Sequence, residues 1–226
     1  KALALTAACC LVPFGLCCLL LSVSFIRITT ARRGAARVKY VRRELRASGA
    51  GAALLRKELT RIFSLPTYLV NDGLGALLQL ILAGALLIKG RGLTETLGMP
   101  AEMAGLLPLV SCAIICFCAM MTCFSSASIS LEGRSFWLLR SCPVGAKPVL
   151  AAKTAATLVI GMPAALIASV TVCAVFRPNL TECLGILLLP QLVQLFTAFF
   201  GLWANLKFPR FDWINEVLVV KQSGAA

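Results

Sequence analysis

The sequence predicts an all-α polytopic membrane protein, with about five transmembrane helices and amphipathic helices on the cytoplasmic side. Two observations predict it. Of 226 residues, 59% are hydrophobic and only 14% charged, against ~45–50% and ~25% in soluble domains; mean hydropathy is +0.90. The apolar residues also gather into runs near the ~20 residues needed to cross a bilayer. No period-2 strand pattern competes, and lipid obliges such runs to satisfy their backbone internally, as helices. The composition excludes a disordered chain, a collagen and an ordinary soluble enzyme.

The first run, residues 2–26, is predicted to be transmembrane helix 1. It is far longer than the ~7–15 residues of a signal-peptide core. Four further runs lie near 68–88, 104–124, 154–176 and 184–204, within a four-helix region spanning 67–204. Orientation follows from Lys and Arg. Residues 27–61 carry eleven, the loop after the third run four, and the tail three, which is eighteen of 22. The positive-inside rule places 27–66, 125–153 and 205–226 in the cytoplasm. The outer loops, near 89–103 and 177–183, are short. The chain opens on Lys1 and its tail ends soon after a fifth span, so a piece of a longer protein is expected.

Residues 27–66 form a basic cytoplasmic linker and elbow helix. Leu55, Leu59, Ile62 and Phe63 recur at helical spacing, with Arg56, Lys57, Thr60 and Arg61 opposite. Such a helix suits the membrane interface, and Pro66 turns the chain into the second span. The polybasic part is suited to anionic headgroups. The loop 125–153 sets Phe136, Trp137, Leu138 and Leu139 between Arg134 and Arg140 and stops at Pro143. Four large apolar residues there suit either a partner's groove or an anchor in the headgroup layer. In the tail, 205–226, aromatic residues alternate with charges, as in a second docking segment or the approach to a further span.

Within the spans, Asp72 is an intramembrane acid and so a functional suspect, although its place near the cytoplasmic end suits a structural role. Gly75, Gly84, Gly105, Gly161 and Gly185 are expected to permit close helix approach. Pro108, Pro163 and Pro190 are expected to kink their helices. Cys112, Cys116 and Cys123 fall on one helical face; a soft-metal path or redox pair is conceivable, and packing of small hydrophobes is the simpler account. Asn179-Leu-Thr181 matches a glycosylation sequon by chance. With no histidine and net charge +13, Cys–His catalysis is impossible. No phosphate-binding Gly-Lys-Ser/Thr loop, repeated zinc spacing or catalytic constellation occurs, and no cofactor is expected in this chain. The basic linker lacks the interleaved aromatics of a nucleic-acid binder.

Three stretches carry a resemblance. The loop Ile129-Ser-Leu-Glu-Gly-Arg-Ser-Phe-Trp-Leu-Leu-Arg-Ser-Cys-Pro-Val, with Lys153 beyond it, resembles the cytoplasmic loop of bacterial ABC-2 type permeases. The tail Phe208-Pro-Arg-Phe-Asp-Trp-Ile-Asn-Glu is similar to a second segment of that group. The stretch Arg56-Lys-Glu-Leu to Pro66-Thr-Tyr-Leu-Val-Asn71 resembles its elbow and first span. The resemblance implies a permease of the bacterial inner membrane, coupling ATP hydrolysis by a separate ATPase subunit to substrate export. ATP and Mg would be bound by that partner; a second copy or second permease would complete the assembly. It further implies a coupling element of Glu132, Gly133, Arg134, Trp137 and Arg140. A secondary contact of Trp213, Asn215, Glu216 and Lys221 and an elbow of Arg56, Lys57, Arg61 and Pro66 would accompany it. The alternatives are an ion-coupled secondary transporter using Asp72, or a non-transporting scaffold whose polybasic linker binds lipid.

Overall fold

The structure is a computed structural model that describes residues 11–22, 49–92 and 105–222. The chain divides into two compact units, Lys1–Arg46 and Ala47–Ala226. In the first, α1 (Leu11–Ser22) is apolar and exposed. The rest of the expected span 2–26 and the linker residues 27–48 lie outside the described residues, as does the expected outer loop from 93 to 104.

The second unit holds α2 (Ala50–Ser64), α3 (Pro66–Lys89), α4 (Leu107–Met121), α5 (Phe136–Ser141), α6 (Ala146–Phe176), α7 (Leu180–Lys207) and α8 (Glu216–Gln222). No strand occurs among the described residues. Four apolar stretches are long enough to cross a membrane: α3, Leu107–Gly133 beginning with α4, α6 and α7. They alternate in direction, so α2, the α4–α6 connection and α8 gather at one end of the bundle, here the charged end.

The outside of this bundle is unlike that of a soluble domain. Leu77, Ile81, Leu188, Phe196 and Phe199 are each more than half exposed. So much apolar surface is tolerated where lipid covers it. The inside is built instead from small residues, Ala156, Gly161, Ala164, Ala165 and Ala168 on α6 among them. Helices in lipid gain little from apolar burial and hold together by close packing. Two of the expected glycines make that packing possible. A Cβ on Gly75 would lie 2.0 Å from the Cys118 carbonyl oxygen, and one on Gly161 would lie 2.4 Å from the Gln194 side chain. A Cβ on Gly84, Gly105 or Gly185 would meet nothing within 4 Å among the described residues, so these three do not mediate the helix approach expected of them there. Gly201, not singled out from the sequence, packs against Cys123.

Two polar pairs bridge helices at depth. Gln79 Nε2 donates to the Ile115 carbonyl at 3.1 Å, and Gln194 Nε2 to the Thr122 carbonyl at 3.0 Å. Cys123 does not continue the α4 face of Cys112 and Cys116, because α4 ends at Met121; its thiol donates to the Thr197 carbonyl at 3.3 Å. The fourth span starts at Ala146, eight residues before the expected Thr154. Its 31 residues extend about 46 Å at 1.5 Å per residue, so α6 outruns the hydrocarbon layer and its first turns belong to the charged end. The loop expected over 125–153 shortens accordingly.

Candidate functional site

After Met121 the chain does not continue as a regular helix. Phe124 to Gly133 is buried throughout, and its serines satisfy the backbone locally. Ser126 Oγ donates to the Cys123 carbonyl at 2.9 Å, and Ser128 Oγ to the Ser125 carbonyl at 3.0 Å. Serine favours such side-chain bonds over helix continuation. The spans clamp the segment from two sides. Tyr68 of α3 donates its hydroxyl to the Phe124 carbonyl and packs edge-on against that ring at 5.4 Å. Asn205 of α7 accepts from the Ile129 and Ser130 amides at 2.8 and 3.0 Å, and donates to Ser130 Oγ at 2.8 Å.

This clamp presents Glu132 to a buried group of charges. Lys153 Nζ, on α6, donates to Glu132 Oε1 at 2.8 Å, to Glu58 Oε1 at 2.9 Å and to the Ser128 carbonyl at 2.9 Å. Lys57 and Arg61 of α2 reach Glu132 at 2.9 and 2.8 Å, and Arg61 lies 3.6 Å from Glu58. The side chains of Lys153 and Glu132 are 1% and 2% exposed. Burial opposes the Arg61 charge, but its hydrogen bond to Glu132 and the attraction of Glu58 outweigh that and raise its pKa. Two carboxylates thus tie three cations from α2 and α6 to the intervening segment.

The geometry revises the expected elbow. Glu58 and Ile62 are the buried residues of α2, with Lys57 and Arg61 turned toward Glu132, whereas Phe63 is 64% exposed. The inner face of α2 is therefore mixed, because its charges find partners there. Arg56 and Pro66 are exposed.

The expected coupling residues separate into two sets. Glu132 and Gly133 face inward. Gly133 has φ +50° and ψ −131°, a conformation that disfavours a Cβ, and a Cβ would meet the Trp213 ring at 2.8 Å. Trp137 and Arg140, on the short helix α5, face outward. Trp137 is 63% exposed, and its neighbour Leu138 is half exposed. Phe136 anchors α5 by stacking on Phe211 at 5.4 Å. A cleft of about 360 Å³ runs on one flank, past Ile129, Arg140, Leu150 and Leu206. One of about 400 Å³ runs on the other, past Leu54, Lys57, Leu138 and Cys142. The side chain of Arg134 lies outside the described residues.

Over its described length the tail is tied to the charged end. Trp213 Nε1 donates to the Ser130 carbonyl at 2.8 Å, and the Arg210 amide to Ser130 Oγ at 2.9 Å. Val219 and Val220 of α8 are buried with Ile62, Tyr68 and Phe124. Apolar burial folds the tail back on the charged end. Asn215 and Glu216 remain exposed; Asn215 Oδ1 accepts from the Val217 amide at 3.1 Å as α8 begins. The side chain of Lys221 lies outside the described residues.

The structure therefore joins Lys57, Arg61 and Glu132 directly, and Gly133 with Trp213. Glu58, Ser130 and Asn205 belong to the same assembly and were not singled out from the sequence. Glu58 carried a signal: an acid three residues before Arg61 on a helix can share its cation. Lys153, in an apolar helix, carried another, since a cation there calls for buried acids. Comparison with protein-family models, curated proteins and solved structures yields no match. What fold and site together define is a class, an all-α polytopic membrane protein with a charged, apolar-capped end.

Proposed function

We propose that the chain is the permease subunit of an ABC-2 type transporter of the bacterial inner membrane. Its charged end would face the cytoplasm, and a separate ATPase subunit would bind ATP and Mg and drive substrate export. One observation carries the reading: α5 offers Trp137 and Leu138 to solvent while its base is tied to two helices by buried charges. A partner closing on Trp137 would push α5. Glu132, four residues before Phe136, is bonded to Lys153 on α6 and to Lys57 and Arg61 on α2. A push on α5 would therefore move a span and the elbow together instead of being absorbed by a slack loop. Arg140 would meet carboxylates at the partner's rim. The nucleotide chemistry belongs to the partner, and this chain supplies the lever.

The test is Trp137→Ala, with a candidate ATP-binding cassette subunit as the partner in a pull-down. Truncating a central interface aromatic commonly costs ~2 kcal/mol or more, which weakens a complex roughly thirtyfold. Membrane levels should be unchanged, because Trp137 contributes little to the fold, while ATPase recovery falls and hydrolysis uncouples from transport. Unchanged ATPase recovery at normal expression refutes the assignment. If Trp137 is instead a headgroup anchor, insertion suffers while the ATPase stays bound.

One observation favours a second reading, ion-coupled secondary transport. Asp72 on α3 is 8% exposed, and its Oδ2 has no hydrogen-bond partner among the described residues. Under the ABC reading, Asp72→Asn leaves transport independent of the proton gradient. Loss of transport that tracks the gradient favours the second reading.

A further inference from the structure

We infer that Cys173 and Cys183 form an intramolecular disulfide across the α6–α7 turn in the cell; the inference rests on the membrane orientation proposed above. Cys173 lies in the last turn of α6 and Cys183 in the first turn of α7. Between them Arg177 takes the left-handed conformation, φ 50° and ψ 55°, and reverses the chain. The Arg177 amide donates to the Cys173 carbonyl at 3.0 Å, and the Cys183 amide to the Asn179 carbonyl at 2.8 Å. Each cysteine thus sits one helical turn back from the reversal, on opposite arms at matching height. Cys173 reaches across to Cys183: its Sγ donates to the Cys183 carbonyl at 3.9 Å. Both are free thiols, partly exposed at the ends of their helices. Disulfide formation needs two cysteines held a short span apart, and the hairpin brings the Cys173 side chain against residue 183.

The compartment supplies the second condition. This turn is at the opposite end from α2, the α4–α6 connection and α8, so the proposed orientation sets it on the oxidising side of the membrane. Cys142, beside α5, sits at the other end and faces the reducing side. The reaction is thiol–disulfide exchange with the disulfide of an extracytoplasmic thiol oxidase. One cysteine thiolate attacks that disulfide, and a mixed disulfide forms as one oxidant sulfur leaves as a thiol. The second thiolate displaces the other oxidant sulfur. Two S–H bonds of the hairpin become one S–S bond, and the oxidant's disulfide becomes two thiols. Cys112 on α4 belongs to the buried apolar cluster against which Cys173 packs, and so is the competing partner.

The sequence permits a direct test on the native chain. Glu182 lies between the two cysteines, so cleavage after glutamate puts them on separate peptides. Cells are quenched in acid, the protein is denatured, free thiols are blocked with maleimide, and the purified chain is digested with and without reduction. The expected result is a linked pair of peptides containing Cys173 and Cys183 that separates only on reduction, with neither cysteine carrying maleimide. Both cysteines blocked before reduction, Cys173 linked to Cys112, or a pair joined between two chains would each overturn the inference. A separate arm reads orientation: Asn179→Cys in a Cys-free chain, probed in intact cells with a membrane-impermeant maleimide. Unlinked peptides with an outside-labelled Cys at 179 refute the disulfide and leave the orientation standing. Unlinked peptides with a protected position 179 refute both. Linked peptides with a protected position uphold the disulfide and refute the orientation.

Discussion

Lys153→Met isolates the buried charge cluster. The lysine has three partners within 2.9 Å, and methionine keeps most of its volume. After the substitution, Glu132 still holds Lys57 and Arg61. Glu58 does not fare as well: Lys153 is the partner of its Oε1, and the remaining cation, Arg61, stands 3.6 Å from its Oε2. The Ser128 carbonyl loses Lys153 and keeps a 3.5 Å contact from Arg61. Breaking a buried pair from one side typically costs about 3–5 kcal/mol, because a charge is stranded in a medium that solvates it poorly. Lys57→Met is the control. That side chain is 39% exposed, and Glu132 keeps two closer-held cations, so the expected cost is about 0–1 kcal/mol. Reversible unfolding of the purified chain in mixed micelles, titrated with a denaturing detergent, measures both. Adding Glu58→Gln to Lys153→Met should recover part of the loss, with a coupling of about 1–3 kcal/mol. If Lys153→Met costs no more than Lys57→Met, the cluster does not hold α2, the loop and α6 together, and the lever loses its base.

Gly133→Ala should destabilise the charged end by about 1–3 kcal/mol from its positive-φ backbone alone, and should red-shift Trp213 emission by lifting its ring; unchanged emission and stability would refute the packing described. Gly75→Ala should destabilise the bundle by about 1–3 kcal/mol through overpacking, whereas Gly84→Ala should be neutral or stabilise by up to ~1 kcal/mol; equal effects in the same titration would contradict the close approach at Cys118. Trp137→Ala should weaken ATPase binding roughly thirtyfold and lower its recovery without lowering membrane levels, by quantitative pull-down across ATPase concentrations. Asp72→Asn should leave transport independent of the proton gradient, by flux measured with and without an uncoupler.

The class of fold was determined by the sequence alone. Long uncharged runs have one stable conformation in lipid, so composition and run length suffice to predict spanning helices, and α3 and α7 fall within a few residues of their expected ends. The outward Trp137 was legible for a similar reason, since four large apolar residues between two arginines cannot all be buried in a short helix. What only the tertiary structure decided is which polar residues face each other. Lys57 and Arg61 occupy the polar side of an amphipathic pattern whether that side meets water or Glu132. Glu132 looks like a loop surface acid until Asn205 and Tyr68 clamp its segment into the bundle. The tail's Val219 and Val220 are as compatible with a docking arm as with the core they join. Periodicity records the local preference of each residue for lipid, water or helix. Pairing depends on contacts between residues as far apart as Glu58 and Lys153, and those distances are set when α2, α6 and the α4–α6 segment pack.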